Sequence, residues 1–538
     1  MRGHEKANRS RSSEARTSSN RCRIMLNVFK YPAINHLVLL FLLLVFINKS
    51  FTYSVTGSVY QQKFYIFCDR LVKPNIALEC VKMNVFIRRS RVLIVVLLLI
   101  TVLLYFYWKS NLSIRSLTNK PRATLTFWAS NLHHGCRVDT ATLLQGLNQE
   151  IVIADHFQRN NYYRSALTRP HILFAGDQRA LAPFLRSHIT HSDSLAEKDI
   201  QDFFNYYHKD PLMLRVNAFF CSFPSSMCEI YMPFNRTIIW LPAHRFTLGR
   251  CSRAEIDRLI LHMQQSVRPE QQQPKHFIAA GGRYDQEYIK YYTGLDSILL
   301  PVNSLWYAFN VTKFTQARPE ILLGPLQKAG HPFIINMTAA AQALNSSFRF
   351  ATAKSLYKHY QLQQITDHRA VVLLPYAVLS YGITELYALG VPIFIPSIDF
   401  IVKLKVVSDR TLIDPFYCGR KMKFTDMPKQ HPKSNHPYSP EDVQSPEAIA
   451  YWLQFADYYQ LPHIQTFSSW IDLIDKLSKT DFKMVHEKMY QENLRRKADL
   501  TMKWESLFAQ IDPNQRIIPG DYATAIKQLW NTSQLQVF

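Results

Sequence analysis

Short, almost uninterrupted apolar runs recur along this chain, separated by longer stretches in which apolar and polar residues mix at helical spacing. The runs are Thr124–Trp128, Glu150–Ala154, His171–Ala175, Val216–Ser222, Thr237–Leu241, His276–Ala280 and Ile298–Pro301, followed by Glu320–Gly324, Phe348–Ala351, Ala370–Pro375 and Ile393–Pro396. Continuous apolar runs of this length predict strands buried on both faces, as in parallel sheets. Helical patterns lie between and after them, at Leu195–Tyr207, Ser252–Gln265, Asp285–Tyr292, Ser469–Leu477 and Asp481–Phe508. Asp139 is expected to cap a further helix running through Gly146. Ser355–Leu362 carries leucine and tyrosine at helical spacing and reads as core. The alternation predicts an α/β chain of two doubly wound, Rossmann-like domains, at 121–302 and 319–480, joined by a linker at 303–318. Residues 481–538 are expected to form C-terminal helices. The aromatic stretch YWLQFADYYQLPHIQTF reads as core or a domain contact, and the polar, Pro-rich stretch Asp414–Pro446 as a long loop able to fold over a cleft.

The stretch Arg369–Ser397, RAVVLLPYAVLSYGITELYALGVPIFIPS, organises the second domain. An apolar strand leads through a short loop to a helix that opens at Ser380 or Tyr381 and stops at Gly390. Pro392 precedes the next apolar strand. Strand–helix–strand units of this kind place both strands parallel in one sheet, and ligands of such sheets sit at the carboxyl ends of the strands. A helix start there offers unpaired N–H groups and partial positive charge, both suited to phosphate. Gly382 admits close approach to the backbone, and Glu385 stands within one turn to accept hydroxyl hydrogen bonds.

In order and spacing, SYGITELYALGVPIF resembles the late donor motif of glycosyltransferases with the GT-B fold. The resemblance covers about 30 residues and assigns no subfamily. It implies a nucleotide-sugar co-substrate and no cofactor, with Tyr381, Gly382, Ile383 and Thr384 holding the diphosphate and Glu385 binding a ribose or sugar hydroxyl. It also implies that the first domain binds the acceptor and supplies a base. On position alone, the loop after Thr124–Trp128, which carries His133, His134, Gly135, Arg137 and Asp139, is the place for it. His134 or His133 is the candidate base, because imidazole accepts a proton near neutral pH. Arg137 and Asp139 are acceptor or phosphate contacts. His244 and Arg245 after Thr237–Leu241 are further candidates, Arg245 and Arg250 as phosphate partners, while Asp177 is a weaker candidate that reads rather as a helix cap. The bland alternative for the His pair is hydrogen bonding within its own loop.

Charge and cysteines narrow the class. Lys and Arg exceed Asp and Glu by 63 to 40, but not in blocks interleaved with aromatics, so no nucleic-acid partner is expected. The chain has no Asp-x-Asp, GxSxG or P-loop sequence, which excludes metal-dependent GT-A, α/β-hydrolase and Walker-type readings, and no metal site is expected. Of its 8 cysteines, Cys136, Cys221, Cys228, Cys251 and Cys418 follow the main hydrophobic segment, without zinc spacing. One or two disulfides are expected among Cys221, Cys228 and Cys251.

Val92–Trp108 is uncharged and apolar, with Arg88, Arg89 and Arg91 before it, and reads as a type II signal-anchor. Residues 83–91 form its cytoplasmic tail and 109–120 a stem. Residues 1–82 read as a disordered extension with a short hydrophobic segment at 33–47, and Met83 as an alternative start. A second span at 33–47 is the other reading. The sequons after the anchor, at Asn111, Asn235, Asn310, Asn336, Asn345 and Asn531, read as glycan acceptors. The expected protein is thus a single-pass membrane enzyme of the Golgi, or of the endoplasmic reticulum, with its catalytic domain in the lumen. Its expected partners are a nucleotide sugar, a glycan or glycoconjugate acceptor and the membrane. The alternative is a non-catalytic carbohydrate-binding or interaction protein on a degenerate GT-B scaffold.

Overall fold

In the computed structural model the strands assemble into two parallel sheets. The structure describes residues 100–101, 124–129, 134–153, 172–174, 197–242 and 245–525, the last with gaps at 249, 251, 268–274, 302–303, 325–329, 358–359, 376, 408–423 and 515–519. The first sheet holds β1 (Thr126–Ala129), β2 (Glu150–Ile153), β3 (Ile172–Phe174), β4 (Ala218–Cys221), β5 (Thr237–Trp240), β6 (Phe277–Ala280) and β7 (Ile298–Leu299). Their order is β3-β2-β1-β4-β5-β6-β7, every pair parallel. The second sheet holds β8 (Ile321–Gly324), β9 (Phe350–Thr352), β10 (Val371–Leu373), β11 (Ile393–Pro396) and β12 (Gln465–Phe467). Its order is β12-β11-β10-β8-β9, again all parallel. Both sheets lie in the unit Arg122–Phe538. The α/β class with two doubly wound sheets is as the apolar runs predict, and β1, β4, β5, β6, β10 and β11 are buried throughout.

Each strand order reverses direction once, between β1 and β4 in the first sheet and between β8 and β10 in the second. At such a switch point the two connections leave toward opposite faces and open a crevice at the carboxyl ends of the strands. Both crevices are therefore fixed by topology before any side chain is considered.

The helices that matter below are α1 (His134–Gly146), α2 (Glu197–Tyr207), α3 (Arg253–Ser266), α4 (Arg283–Thr293), α5 (Gly330–Ala343), α6 (Tyr381–Ala388), α7 (Ile398–Val407), α8 (Pro446–Leu453), α9 (Asp457–Gln460), α10 (Trp470–Lys479) and α11 (Phe482–Phe508). Local chemistry sets many of their ends. Ser252 and Glu255 close a capping box on α3, and Ser469 and Asp481 cap α10 and α11. Two expectations are corrected here. Asp139 does not cap α1, which opens at His134 and buries Asp139 in its second turn. Ser355–Leu362 is not one helix: a single turn ends at Leu356, and Leu362 opens another.

Two long-range devices join the sheets. Helix α11, about 40 Å long at 1.5 Å per residue, starts beside β11, where Phe482 meets Phe394 at 6.3 Å. It ends under the first sheet, where Trp504 lies 5.8 Å from Phe220 and Phe508 lies 5.1 Å from Phe127. On the way Asn493 Nδ2 donates to Tyr387 O at 2.8 Å, satisfying a carbonyl at the end of α6.

The other device is the segment 427–446. It falls between β11 and β12 of the second sheet in sequence yet lies along the first sheet's helices. Arg253 Nη1 donates to Met427 O (3.2 Å), His431 N–H donates to Tyr291 O (2.8 Å), and His436 Nε2 stands 3.2 Å from a Glu287 oxygen. Helix α8 then packs Trp452 edge-on against Tyr284 and Tyr291 of α4.

Cys221 and Cys228 form a disulfide with Cα atoms 5.6 Å apart, while Cys136 is a buried free thiol. Cys251 and Cys418 lie outside the described residues. So does the expected anchor at 92–108, apart from Ile100 and Thr101, which are helical and exposed. Among the described residues no helix is long and apolar enough to cross a membrane.

Candidate functional site

The two switch points meet at one side chain. Tyr381 opens α6, after the loop 374–380 that leaves the carboxyl end of β10. Its ring is buried, and its hydroxyl shares hydrogen bonds with the Cys136 thiol and the Ser222 hydroxyl. Cys136 sits in the first turn of α1, just past β1, and Ser222 immediately follows β4. Tyr381, Cys136 and Leu379, with Phe223 against them, form a small apolar cluster separate from the main core. Gly135 makes the contact possible, since a Cβ there would stand 2.9 Å from Tyr381 Cγ. Burial, with the nearby Cys136 and Asp139, pushes the Tyr381 phenol well above its ordinary range, and burial raises the Cys136 thiol too. Both groups are therefore neutral hydrogen-bonding partners.

The start of α6 is only partly committed. The N–H groups of Ile383 and Thr384 donate to Ser380 O at 3.0 and 3.2 Å. Those of Tyr381 and Gly382 are the helix's first two and have no carbonyl within it. Ser380 Oγ is buried without a hydrogen-bond partner and makes no cap. Thr384 Oγ1 donates to Tyr381 O and lies 3.0 Å from Ser304 Oγ, which accepts from Tyr307. The side chain of Thr384 thus ties α6 to the segment joining the sheets, and that of Ile383 belongs to the core. Glu385 is partly buried, close enough for its charge to help raise Tyr360.

The first-sheet candidates divide. His134 is the first residue of α1, while His133, His244 and Asp177 lie outside the described residues. Arg137 and Asp139 are buried in α1, and burial alone pushes the Arg137 guanidinium down to about 10. Asp139 is near enough to act on both Cys136 and Tyr381. Arg250 is fully buried in an ion pair with Glu229, beside the disulfide and far from a ligand role.

Arg245, only 5% exposed, donates from Nη1 to Glu441 Oε2 at 2.9 Å. Tyr288 donates to the other Glu441 oxygen at 2.5 Å. Arg245 also bonds Tyr284 and lies over the Tyr288 ring, 5.8 Å from its centroid. Its charge is already met by a carboxylate, so binding a phosphate there requires displacing Glu441. A pocket of about 20 Å³, with room for about one water, lies beside it, lined by Arg245, Tyr284, Val378, Val443 and Trp452.

Sequence reasoning missed several polar groups on the same edge. Asp285, in the first turn of α4, is 1% exposed, and neither of its oxygens has a hydrogen-bond partner. Asp457 opens α9 with an enclosed Oδ2 equally without one. Gly281–Gly282 after the β6 run marked the α4 start; nothing local marked Asp457. Arg496 and Lys497, midway along α11, lie over the rings of Tyr387 (5.1 Å) and Trp306 (5.7 Å), with burial lowering both. Among the described residues no three His, Cys, Asp or Glu side chains gather to hold a metal.

Asn310, Asn336 and Asn345 are exposed. Asn235 is half-buried, and the Thr237 of its sequon is 1% exposed within β5. Asn111 and Asn531 lie outside the described residues.

No protein-family model matches the chain, and no curated protein matches it. Among solved structures it is similar to spinosyn rhamnosyltransferase SpnG complexed with thymidine diphosphate, at 13% identity and a TM-score of 0.33. That similarity covers 69% of this chain and 96% of the other. At that distance the likeness assigns no residue and no activity.

Proposed function

We propose that this chain transfers a sugar from a nucleotide-sugar donor to a hydroxyl of a glycan, glycoprotein or glycolipid, without a metal. The observation that carries the reading is the meeting of both switch points at Tyr381, which puts a helix start opposite the carboxyl ends of β1 and β4. In this reading the N–H groups of Tyr381 and Gly382 at the start of α6, with Ser380 Oγ, hold the diphosphate, and the α6 dipole stabilises the leaving charge. Glu385 binds a ribose or sugar hydroxyl. His134 or His133, at the opening of α1, removes the acceptor proton, while Arg137 and Asp139 shape that side. Arg496 and Lys497 supply positive charge where the donor half of the chain showed little. The sequons and the segment 92–108 support a type II protein whose domain faces the Golgi or endoplasmic-reticulum lumen.

A second reading is favoured by one specific observation: the Tyr381 ring is buried against Gly135, in the space a diphosphate would enter. A binding protein that has lost transfer would keep that contact permanently. Thermal unfolding of the full chain with UDP, GDP, CMP and their sugars separates the two, because a ligand of the folded state raises Tm. The transferase reading expects one nucleotide to raise Tm, the rise to vanish in Glu385→Ala, and the sugar nucleotide to be turned over. No shift from any nucleotide, with a folded protein, overturns it.

A further inference from the structure

Residues 221–228, between β4 and the helical turn Cys228–Tyr231, are closed into a loop by the Cys221–Cys228 disulfide. Both half-cystines are fully buried, and Phe223 alone within the loop is half-buried. The loop is fixed to the first sheet at both ends. Cys221 closes β4, and its carbonyl accepts from Leu241 N–H at 2.9 Å. Ser226 Oγ donates to Leu248 O at 2.8 Å, and Arg250 Nη2 donates to Ser226 O at 3.1 Å. Glu229, next after Cys228, holds Arg250 in a buried ion pair and lies 2.6 Å from His262 Nδ1 of α3.

Between those anchors the loop touches the second sheet's side. Ser222 and Phe223, the two residues after Cys221, both reach Tyr381. The Ser222 hydroxyl shares a hydrogen bond with it, and Phe223 packs on the cluster of Tyr381, Cys136 and Leu379. From α1, Gly135 and Cys136 meet the same phenol, with no room for a Cβ on Gly135. Tyr381 is thus held by a helix start and by a loop whose course a covalent bond sets. A loop this short removes less freedom from the unfolded chain than a long one. Its effect is local: it fixes the direction in which Ser222 and Phe223 leave β4. Without the cross-link, ordering those two residues on Tyr381 costs backbone entropy that the cross-link has already removed.

We propose that the Cys221–Cys228 disulfide positions Tyr381: by closing the loop it sets Ser222 and Phe223 against the phenol, and a chain without the cross-link lets the phenol leave Gly135 and Cys136. Ser222 and Phe223 are then positioning residues for the start of α6, of which Tyr381 is the first residue. The clasp concerns where the phenol lies and stands whether or not the chain transfers a sugar. Cys136 reports on it. Its thiol is fully buried beside Tyr381 and raised by burial, so it reacts with an alkylating reagent only when the phenol has moved or the chain has unfolded.

Alkylation of the full chain with N-ethylmaleimide, read at the Cys136 peptide by mass spectrometry, tests it at several urea concentrations below the unfolding transition. In the wild type, Cys136 is expected to react slowly, at a rate that climbs with urea as global unfolding does. In Cys221→Ala/Cys228→Ala the reaction is expected to be about tenfold faster or more without urea and nearly independent of urea, the signature of a local opening. A cross-link that merely stabilises the whole fold gives a different result, a faster reaction that keeps the urea dependence of global unfolding, and that result overturns the clasp. So does a Cys136 as protected in the double variant as in the wild type. If the double variant does not fold, Phe223→Ala and Ser222→Ala decide with the disulfide intact. Urea-independent acceleration in either supports the clasp, and its absence from both overturns it.

Discussion

Replacing Glu441 with glutamine tests how the segment 427–446 is held. Glu441 is 1% exposed and receives Arg245 Nη1 at 2.9 Å and the Tyr288 hydroxyl at 2.5 Å. Glutamine keeps the volume and one acceptor for Tyr288 but removes the charge that answers Arg245. Breaking a buried pair from one side costs about 3–5 kcal/mol, because the other charge stays buried. The retained hydrogen bond is worth about 1 kcal/mol, so the lower end, about 3 kcal/mol, is expected. Arg245→Met should cost about as much, leaving the buried Glu441 without its guanidinium. The double variant has no buried charge left at this point and should cost far less than the sum of the two. The assay is urea unfolding of all four proteins followed by tryptophan fluorescence, since Trp452 lines the same pocket. A coupling energy above about 2 kcal/mol is expected. Additivity within about 0.5 kcal/mol, the range for independent sites, would show that Arg245 and Glu441 do not act as a pair and that Trp452 packing alone holds the segment.

Three further perturbations address other joints. Gly135→Ala drives a Cβ to 2.9 Å from Tyr381 Cγ and should cost about 1–3 kcal/mol by forcing the ring aside; an unchanged Tm would mean the ring is not held there. At Glu229, burial works to raise the carboxyl, but Arg250, His262 and Arg258 outweigh it and hold it down to about 2. Its contribution is present above the unfolded carboxylate range and is lost as pH falls from about 5 toward 2, so Glu229→Gln should flatten the acid limb of a stability–pH curve; parallel acid limbs would refute this. Asn493→Ala removes the donor to Tyr387 O and should cost about 1–3 kcal/mol with an unchanged denaturant m-value; no loss of midpoint would show that water replaces the amide.

Much of the fold was legible because parallel strands buried on both faces write themselves as unbroken apolar runs. Phe277–Ala280 and Ile393–Pro396 could hardly be anything else. β12 escaped for the same reason in reverse: Gln465–Thr466–Phe467 is an edge strand with one buried residue, so it has no run to show. The opening of α1 was misplaced because Gly135 looks like a loop residue. It is a glycine for a tertiary reason, the Tyr381 ring, which no local pattern carries. Pro332, inside the first turn of α5, likewise hid a helix behind a residue that usually ends one.

The candidate site divides along the same line. Tyr381, Gly382 and Glu385 were readable because a strand, a loop and a helix start are local features, and topology alone makes that edge a crevice. Their partners were not. Cys136 and Ser222 reach Tyr381 only because α11 and the segment 427–446 turn one sheet edge to face the other. Asp457 reaches Gly282, at the start of α4, by the same folding. A chain built this way announces each half of its cleft in sequence and conceals their pairing. The groups whose charge depends on that pairing, such as Asp285 and Asp457, are therefore those whose behaviour must be measured in the folded chain.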